Sequence, residues 1–133
     1  FDQGIGKLFV VRVAGNTYDQ LALQSIEYAI ANLGARLIVV MGHDQCGAVS
    51  AAVKAYPDAK AGPMLSNIYP AVAQARKESG DVISDAISAN AIMVTQRLRS
   101  EPAFASALTK DGLKILPARY ALATGKVSLL EKR

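Results

Sequence analysis

One His and one Cys occur in the chain, three residues apart, in the segment Met41-Gly42-His43-Asp44-Gln45-Cys46-Gly47. An imidazole and a thiolate are two of the ligand types that suit zinc. They are also the base and nucleophile of a Cys-dependent hydrolase, provided the two side chains face each other. Each is equally at home as a structural residue, and a free Cys often serves as a small buried hydrophobe. Catalytic zinc takes about three protein ligands and keeps one position open, so two donors do not complete such a site.

The flanking sequence says where these groups must stand. The apolar run Leu37-Ile38-Val39-Val40-Met41 ends at Gly42 and reads as a buried strand of a parallel sheet. Residues 48–55 read as a helix. His43 and Cys46 therefore fall at the carboxyl end of a strand and the mouth of a helix, the edge where open α/β sheets bind ligands.

Upstream, residues 7–14 are β-branched and apolar with Arg12 embedded, and predict a strand that Gly15-Asn16 ends. A charge inside an apolar strand needs a partner, within the fold or across an interface. Asp19 is placed to cap a helix in which Ala22, Ile26, Ala29, Ile30 and Leu33 recur at helical spacing, and Gly34 stops it. This βαβα order predicts an α/β fold.

Downstream, residues 56–63 are turn-rich, and residues 64–77 predict a helix broken at Pro70. Residues 81–99 predict a helix with Ile83, Ile87, Asn90 and Val94 on one face. Ser100 is expected to cap a short helix with Pro102 in its first turn. Residues 113–122 and 126–130 predict a closing hairpin around Thr124-Gly125. Pro117 lacks an N–H, so residues 116–119 are expected at an edge or a kink.

The chain has 133 residues, 51% of them hydrophobic, which predicts one domain, 1–133, with a real core. No apolar run approaches the ~18 residues of a membrane span. A single Cys rules out an internal disulfide and fits a reducing, cytoplasmic setting. The net charge of +4 is spread along the chain and there is no Trp, so no platform for nucleic acid is expected. Gly4-Ile5-Gly6 precedes its strand and lacks the third Gly of a dinucleotide fingerprint. Cys46 has Ala52 six residues on, where a phosphate-cradling Cys loop would carry Arg.

Several blocks carry a family resemblance. Phe1-Asp2-Gln3-Gly4-Ile5-Gly6-Lys7-Leu8-Phe9-Val10-Val11-Arg12-Val13-Ala14-Gly15-Asn16, Ser25-Ile26-Glu27-Tyr28-Ala29, the Gly42-His43…Cys46-Gly47 turn and Thr124-Gly125-Lys126-Val127 resemble the β-class carbonic anhydrases in order and spacing. The resemblance implies a mostly parallel sheet flanked by helices, with a C-terminal hairpin or edge strand. It implies zinc as cofactor, carbon dioxide and bicarbonate as substrates, and assembly as a homodimer or tetramer. In the family, zinc lowers the pKa of bound water to ~7 and so supplies hydroxide for attack on carbon dioxide.

The family's zinc is held by Cys, His and Cys, and His43 and Cys46 match the second and third of these. Gly42 and Gly47 would let the backbone turn closely around the metal, with Asp44 and Gln45 beside the ligands. Gln3 is either a solvated polar residue or a hydrogen-bonding contribution to the site across a dimer interface.

The family's first ligand lies in a Cys-x-Asp-x-Arg motif upstream of the block that here begins at Phe1. That Cys, and the Asp and Arg that gate the fourth zinc position, are not among the 133 residues. These residues by themselves are therefore expected to bind zinc poorly and to hydrate carbon dioxide weakly or not at all. The strand leading into that motif lies, in the family, between the two strands at 7–14 and 37–41. Without it, each ladder group left buried and unpaired costs ~1–3 kcal/mol. The gap is filled by a further piece of the protein, by direct pairing of the two strands, or by a partner chain. The rival readings are a metal-free family member or fragment acting as an oligomerisation or binding module, and a Cys-dependent hydrolase.

Overall fold

The computed structural model describes residues 1–130, so the last three residues of the expected 1–133 domain lie outside the described residues. Asp19 is extended, and its Oδ1 accepts the Ala22 N–H at 2.9 Å, which starts α1 (Gln20–Asn32). After α1 the chain reverses at Gly34, whose φ of +70° favours glycine. It then enters β1 (Leu37–His43) and α2 (Gly47–Ala55).

The helix expected at 64–77 is broken, but at residues 67–68 rather than at Pro70, giving two short helices, α3 (Pro63–Ser66) and α4 (Tyr69–Ala75). Pro70 falls in the first turn of α4, where its missing N–H leaves no bond unmade. The longest helix, α5 (Val82–Arg99), begins where Asp81 Oδ1 accepts the N–H groups of Ile83 and Ser84 at 2.9 and 3.3 Å. A 3-10 turn at Pro102–Phe104 leads into α6 (Ala105–Thr109), followed by β2 (Lys114–Ala121) and β3 (Lys126–Leu129). Ser100 does not cap this turn, because it closes α5 instead and its hydroxyl donates back to the Gln96 carbonyl at 3.0 Å.

The fold is α/β around a small mixed sheet of order β1-β2-β3. β1 and β2 are parallel, with Leu37 opposite Lys114 and His43 opposite Tyr120. β2 and β3 form the expected antiparallel hairpin.

Two expectations about strands are corrected. Residues 7–14 are not a strand: the stretch pairs with no neighbour, and Leu8, Phe9, Val10, Val11 and Val13 are all exposed. β propensity cannot be realised without a ladder partner, and β1 remains an edge strand of the described sheet. Arg12 is not buried: it is exposed on the single chain and makes no ion pair among the described residues.

Pro117 lies in the middle strand, neither at an edge nor at a break in the ladder with β1. Its carbonyl accepts the Leu130 N–H at 2.9 Å, so its own nitrogen faces the β3 side where that ladder ends. Two residues earlier the Ile115 carbonyl points the same way, beyond the end of β3. There the guanidinium of Arg99, on α5, takes it with Nε at 3.0 Å.

The core has two lobes joined by α5. Leu23, Val40, Val94, Leu98, Phe104 and Ile115 pack between helices and sheet. Val49, Ile68, Val72 and Ile87 pack among α2, α4 and α5. Burying a side chain such as Phe104, Ile68 or Ile115 contributes ~1.5–3 kcal/mol. Of the expected α5 face, Ile87, Asn90 and Val94 are buried and Ile83 is half-buried.

Candidate active site

β1 ends at His43, and the ladder runs one residue further: the Asp44 N–H donates to the Tyr120 carbonyl at 3.1 Å. Gln45 then takes a φ of +54°, a left-handed conformation that redirects the chain within one residue. Cys46 stands at the N-cap of α2, and its carbonyl accepts the Ser50 N–H at 2.9 Å. The strand end and the helix mouth thus hold His43 and Cys46 in a single short turn. His43 is exposed, whereas Cys46 is 5% exposed and packs in the second core lobe.

His43 Nδ1 lies 2.8 Å from the Asp44 carbonyl oxygen. A carbonyl has no proton to give, so Nδ1–H is the donor, and in the neutral ring Nε2 is the nitrogen with the lone pair. Asp44 is not a free carboxylate. Its Oδ1 accepts from Arg119 Nε at 2.8 Å and Nη2 at 2.7 Å, in a half-buried ion pair. Arg119 Nη1 donates to the Ser84 carbonyl and Oγ at 3.0 and 2.9 Å, and to Ser88 Oγ at 3.2 Å. The guanidinium therefore ties the turn to the first turns of α5.

The other expected site residues are placed as follows. A Cβ on Gly42 would meet Ile87 Cγ2 at 3.1 Å and the Ile87 carbonyl at 3.2 Å, so Gly42 admits the close crossing of α5. A Cβ on Gly47 would meet nothing within 4 Å. Gln45 is exposed. Gln3 lies on the exposed N-terminal stretch, and its amide donates to the Phe1 carbonyl at 2.8 Å. Asn16, expected to fix the turn after residue 14, has a φ of +41° and accepts through Oδ1 from Asn90 Nδ2 at 3.3 Å. Asn90 is buried on α5 and also donates to the Gly15 carbonyl at 2.7 Å.

Sequence reasoning missed Arg119, Ser84 and Ser88. The signal for Arg119 is the one that drew attention to Arg12, a lone Arg in an apolar strand. Nothing in the α5 pattern separates Ser84 and Ser88 from ordinary half-exposed helix residues.

Two surface depressions lie elsewhere. One of about 400 Å³ is lined by Phe9, Leu21, Gln24, Ser25 and Tyr28. The other, about 690 Å³, runs along α5 past Asn90, Met93, Arg97 and Glu101 to Tyr18. Burial and a 2.6 Å hydrogen bond to Glu101 push the Tyr18 phenol up to about 12, with the Arg97 guanidinium 4.7 Å from its ring centre.

The donor set is the test of zinc. His43 Nε2 and Cys46 Sγ are both of suitable type, and Asp44 is taken by Arg119. No group of three or more His, Cys, Asp or Glu side chains able to hold a metal ion forms among the described residues. The described residues by themselves do not close a zinc centre.

A family model described as "Carbonic anhydrase" matches residues 1–127. A carbonic anhydrase of Mycolicibacterium smegmatis is 37% identical over 136 residues, covering 97% of this chain and 66% of that protein. Carbonic anhydrase 2 of Mycobacterium tuberculosis is 59% identical over 58 residues, covering 44% of this chain and 28% of that protein. The chain thus spans less than two thirds of the length of these relatives. Among solved structures, the β-carbonic anhydrase CcaA superposes with a TM-score of 0.80 at 25% identity, over 96% of this chain and 69% of that one. A match over nearly the whole chain, in sequence and in fold, places this protein in the β-class carbonic anhydrase family.

Proposed function

We propose that the protein carries out the reversible hydration of carbon dioxide to bicarbonate, with His43 and Cys46 as two of the ligands of a zinc ion. The observation that carries this reading is their placement in one turn at the carboxyl end of β1, in a chain of this family. The donor count sets its limit. The 133 residues hold no second Cys, so alone they bind zinc poorly and hydrate carbon dioxide weakly or not at all. The open edge of β1 and the unpaired stretch at 7–14 leave room for the strand that carries the family's Cys-x-Asp-x-Arg motif.

Self-association belongs to the same reading, as a homodimer or tetramer built on the exposed apolar N-terminal stretch. So does a cytoplasmic setting, which rests on the single Cys.

The experiment measures zinc content and carbon dioxide hydration for the 133 residues and for the same chain with an N-terminal extension bearing that motif. The expected result is little zinc and little hydration in the first, both gained in the second, and both lost again on Cys46→Ser. Stoichiometric zinc and fast hydration in the short chain would overturn the donor count. An extended chain that folds and assembles but takes up no zinc would favour the metal-free module, on which the same apolar stretch would serve assembly alone.

A further inference from the structure

We propose that Arg119 is a positioning residue for His43: through Asp44 it fixes which imidazole nitrogen carries the proton and which presents a lone pair. The inference rests on the carbonic anhydrase reading only in what the free nitrogen is for.

The chain of contacts is short. The His43 ring is held by one hydrogen bond, Nδ1–H to the Asp44 carbonyl at 2.8 Å. That carbonyl is steady only if the Asp44 peptide is, and Asp44 has two anchors. Its N–H is held by Tyr120 at 3.1 Å, and its carboxylate by two guanidinium nitrogens of Arg119 at 2.7 and 2.8 Å. The next residue, Gln45, sits at φ +54°, a strained conformation that persists only when its surroundings impose it.

Arg119 is suited to the task because its third nitrogen is anchored independently, on Ser84 and Ser88 of α5. A planar fork between a carboxylate and a helix sets distance and direction together, which a Lys ammonium does not. Arg119 is also what keeps the Asp44 carboxylate occupied. With the guanidinium gone, Asp44 loses one of its two anchors, and the carbonyl that holds the His43 Nδ1–H is no longer fixed. His43 then loses the single tautomer that leaves Nε2 bare, the atom that a metal would take.

Because His43 is the only His of the chain, its ring nitrogens are read without interference. The test is the tautomer of His43 in the metal-free 133-residue chain at a pH where the ring is neutral. It is read from 15N shifts and two-bond couplings to the ring protons. The wild type is expected to show Nδ1–H alone. Arg119→Gln is expected to raise the share of the Nε2–H form by about tenfold, the change that ~1.4 kcal/mol of lost hydrogen bonding gives. Arg119→Lys is expected to restore it only in part.

Asp44→Ala breaks the same link while leaving Arg119 on α5, and is expected to give the same tautomer change should Arg119→Gln fail to fold. A folded Arg119→Gln or Asp44→Ala chain that keeps Nδ1–H alone overturns the assignment, as does a wild type without that tautomer. Absence of zinc or hydration in the extended protein counts against the carbonic anhydrase reading and leaves the role of Arg119 standing.

Discussion

At the scale of single residues the turn at 43–46 is a compromise between backbone strain and side-chain placement. Gln45 adopts φ +54°, and its side chain is exposed. An L-residue in this region pays a Cβ penalty that glycine does not. Gln45→Gly is therefore expected to stabilise the chain by about 1 kcal/mol, read as a higher midpoint in urea unfolding. An unchanged or lower midpoint would mean that the side chain contributes contacts that offset the strain. Cys46 and His43, three residues apart, live in opposite surroundings. Cys46 is packed in the core lobe that α2 shares with α4 and α5, while the His43 ring is open to solvent. The turn thus exposes one donor and shelters the other.

At the scale of elements, the crossing of α5 over the end of β1 decides the geometry. Gly42 lies directly before His43 and faces Ile87, whose backbone carbonyl stands 3.2 Å from where a Cβ would be. A carbonyl fixed in a helix cannot yield as a side chain would, so an added methyl must push α5 from the sheet. Gly42→Ala is expected to cost ~1–3 kcal/mol in chemical unfolding, the range for overpacking. It should also loosen Arg119, whose anchors Ser84 and Ser88 lie on that helix. A variant of full stability would show that α5 is free to move away. The same helix closes the far end of β2, where Arg99 takes the Ile115 carbonyl that β3 does not reach. One element therefore supports the site at its N-terminal end and completes the sheet at its C-terminal end.

At the scale of the whole molecule, a group of large apolar side chains lies outside. Leu8, Phe9 and Val10 are 52%, 50% and 64% exposed, and Leu21 and Tyr28 continue the patch onto α1. Single exposed apolar side chains are ordinary, but a contiguous patch marks a surface that associates. Sedimentation of the 133 residues is expected to show concentration-dependent self-association. Phe9→Asp is expected to weaken it by about tenfold or more, the effect of ~1.4 kcal/mol. A wild type that stays monomeric at high concentration would remove the self-association proposed above.

What the sequence determined by itself was local. The Asp19 cap, the run that becomes β1, the turn holding His43 and Cys46, the first-turn place of Pro70 and the closing hairpin each depend on a few neighbouring residues and their dihedral preferences. Tertiary structure decided whatever needed a partner distant in the chain. Residues 7–14 have the composition of a strand but no ladder to join, so they stay unpaired and exposed. Pro117 reads as an edge residue, yet it fits the middle strand because the β3 ladder ends there. Asp44 reads as a residue beside two candidate metal ligands, and its role as the anchor of the turn comes through Arg119, 75 residues away. A hydrogen bond between such distant residues leaves no periodic trace, because its energy is set by the packing that brings the two together.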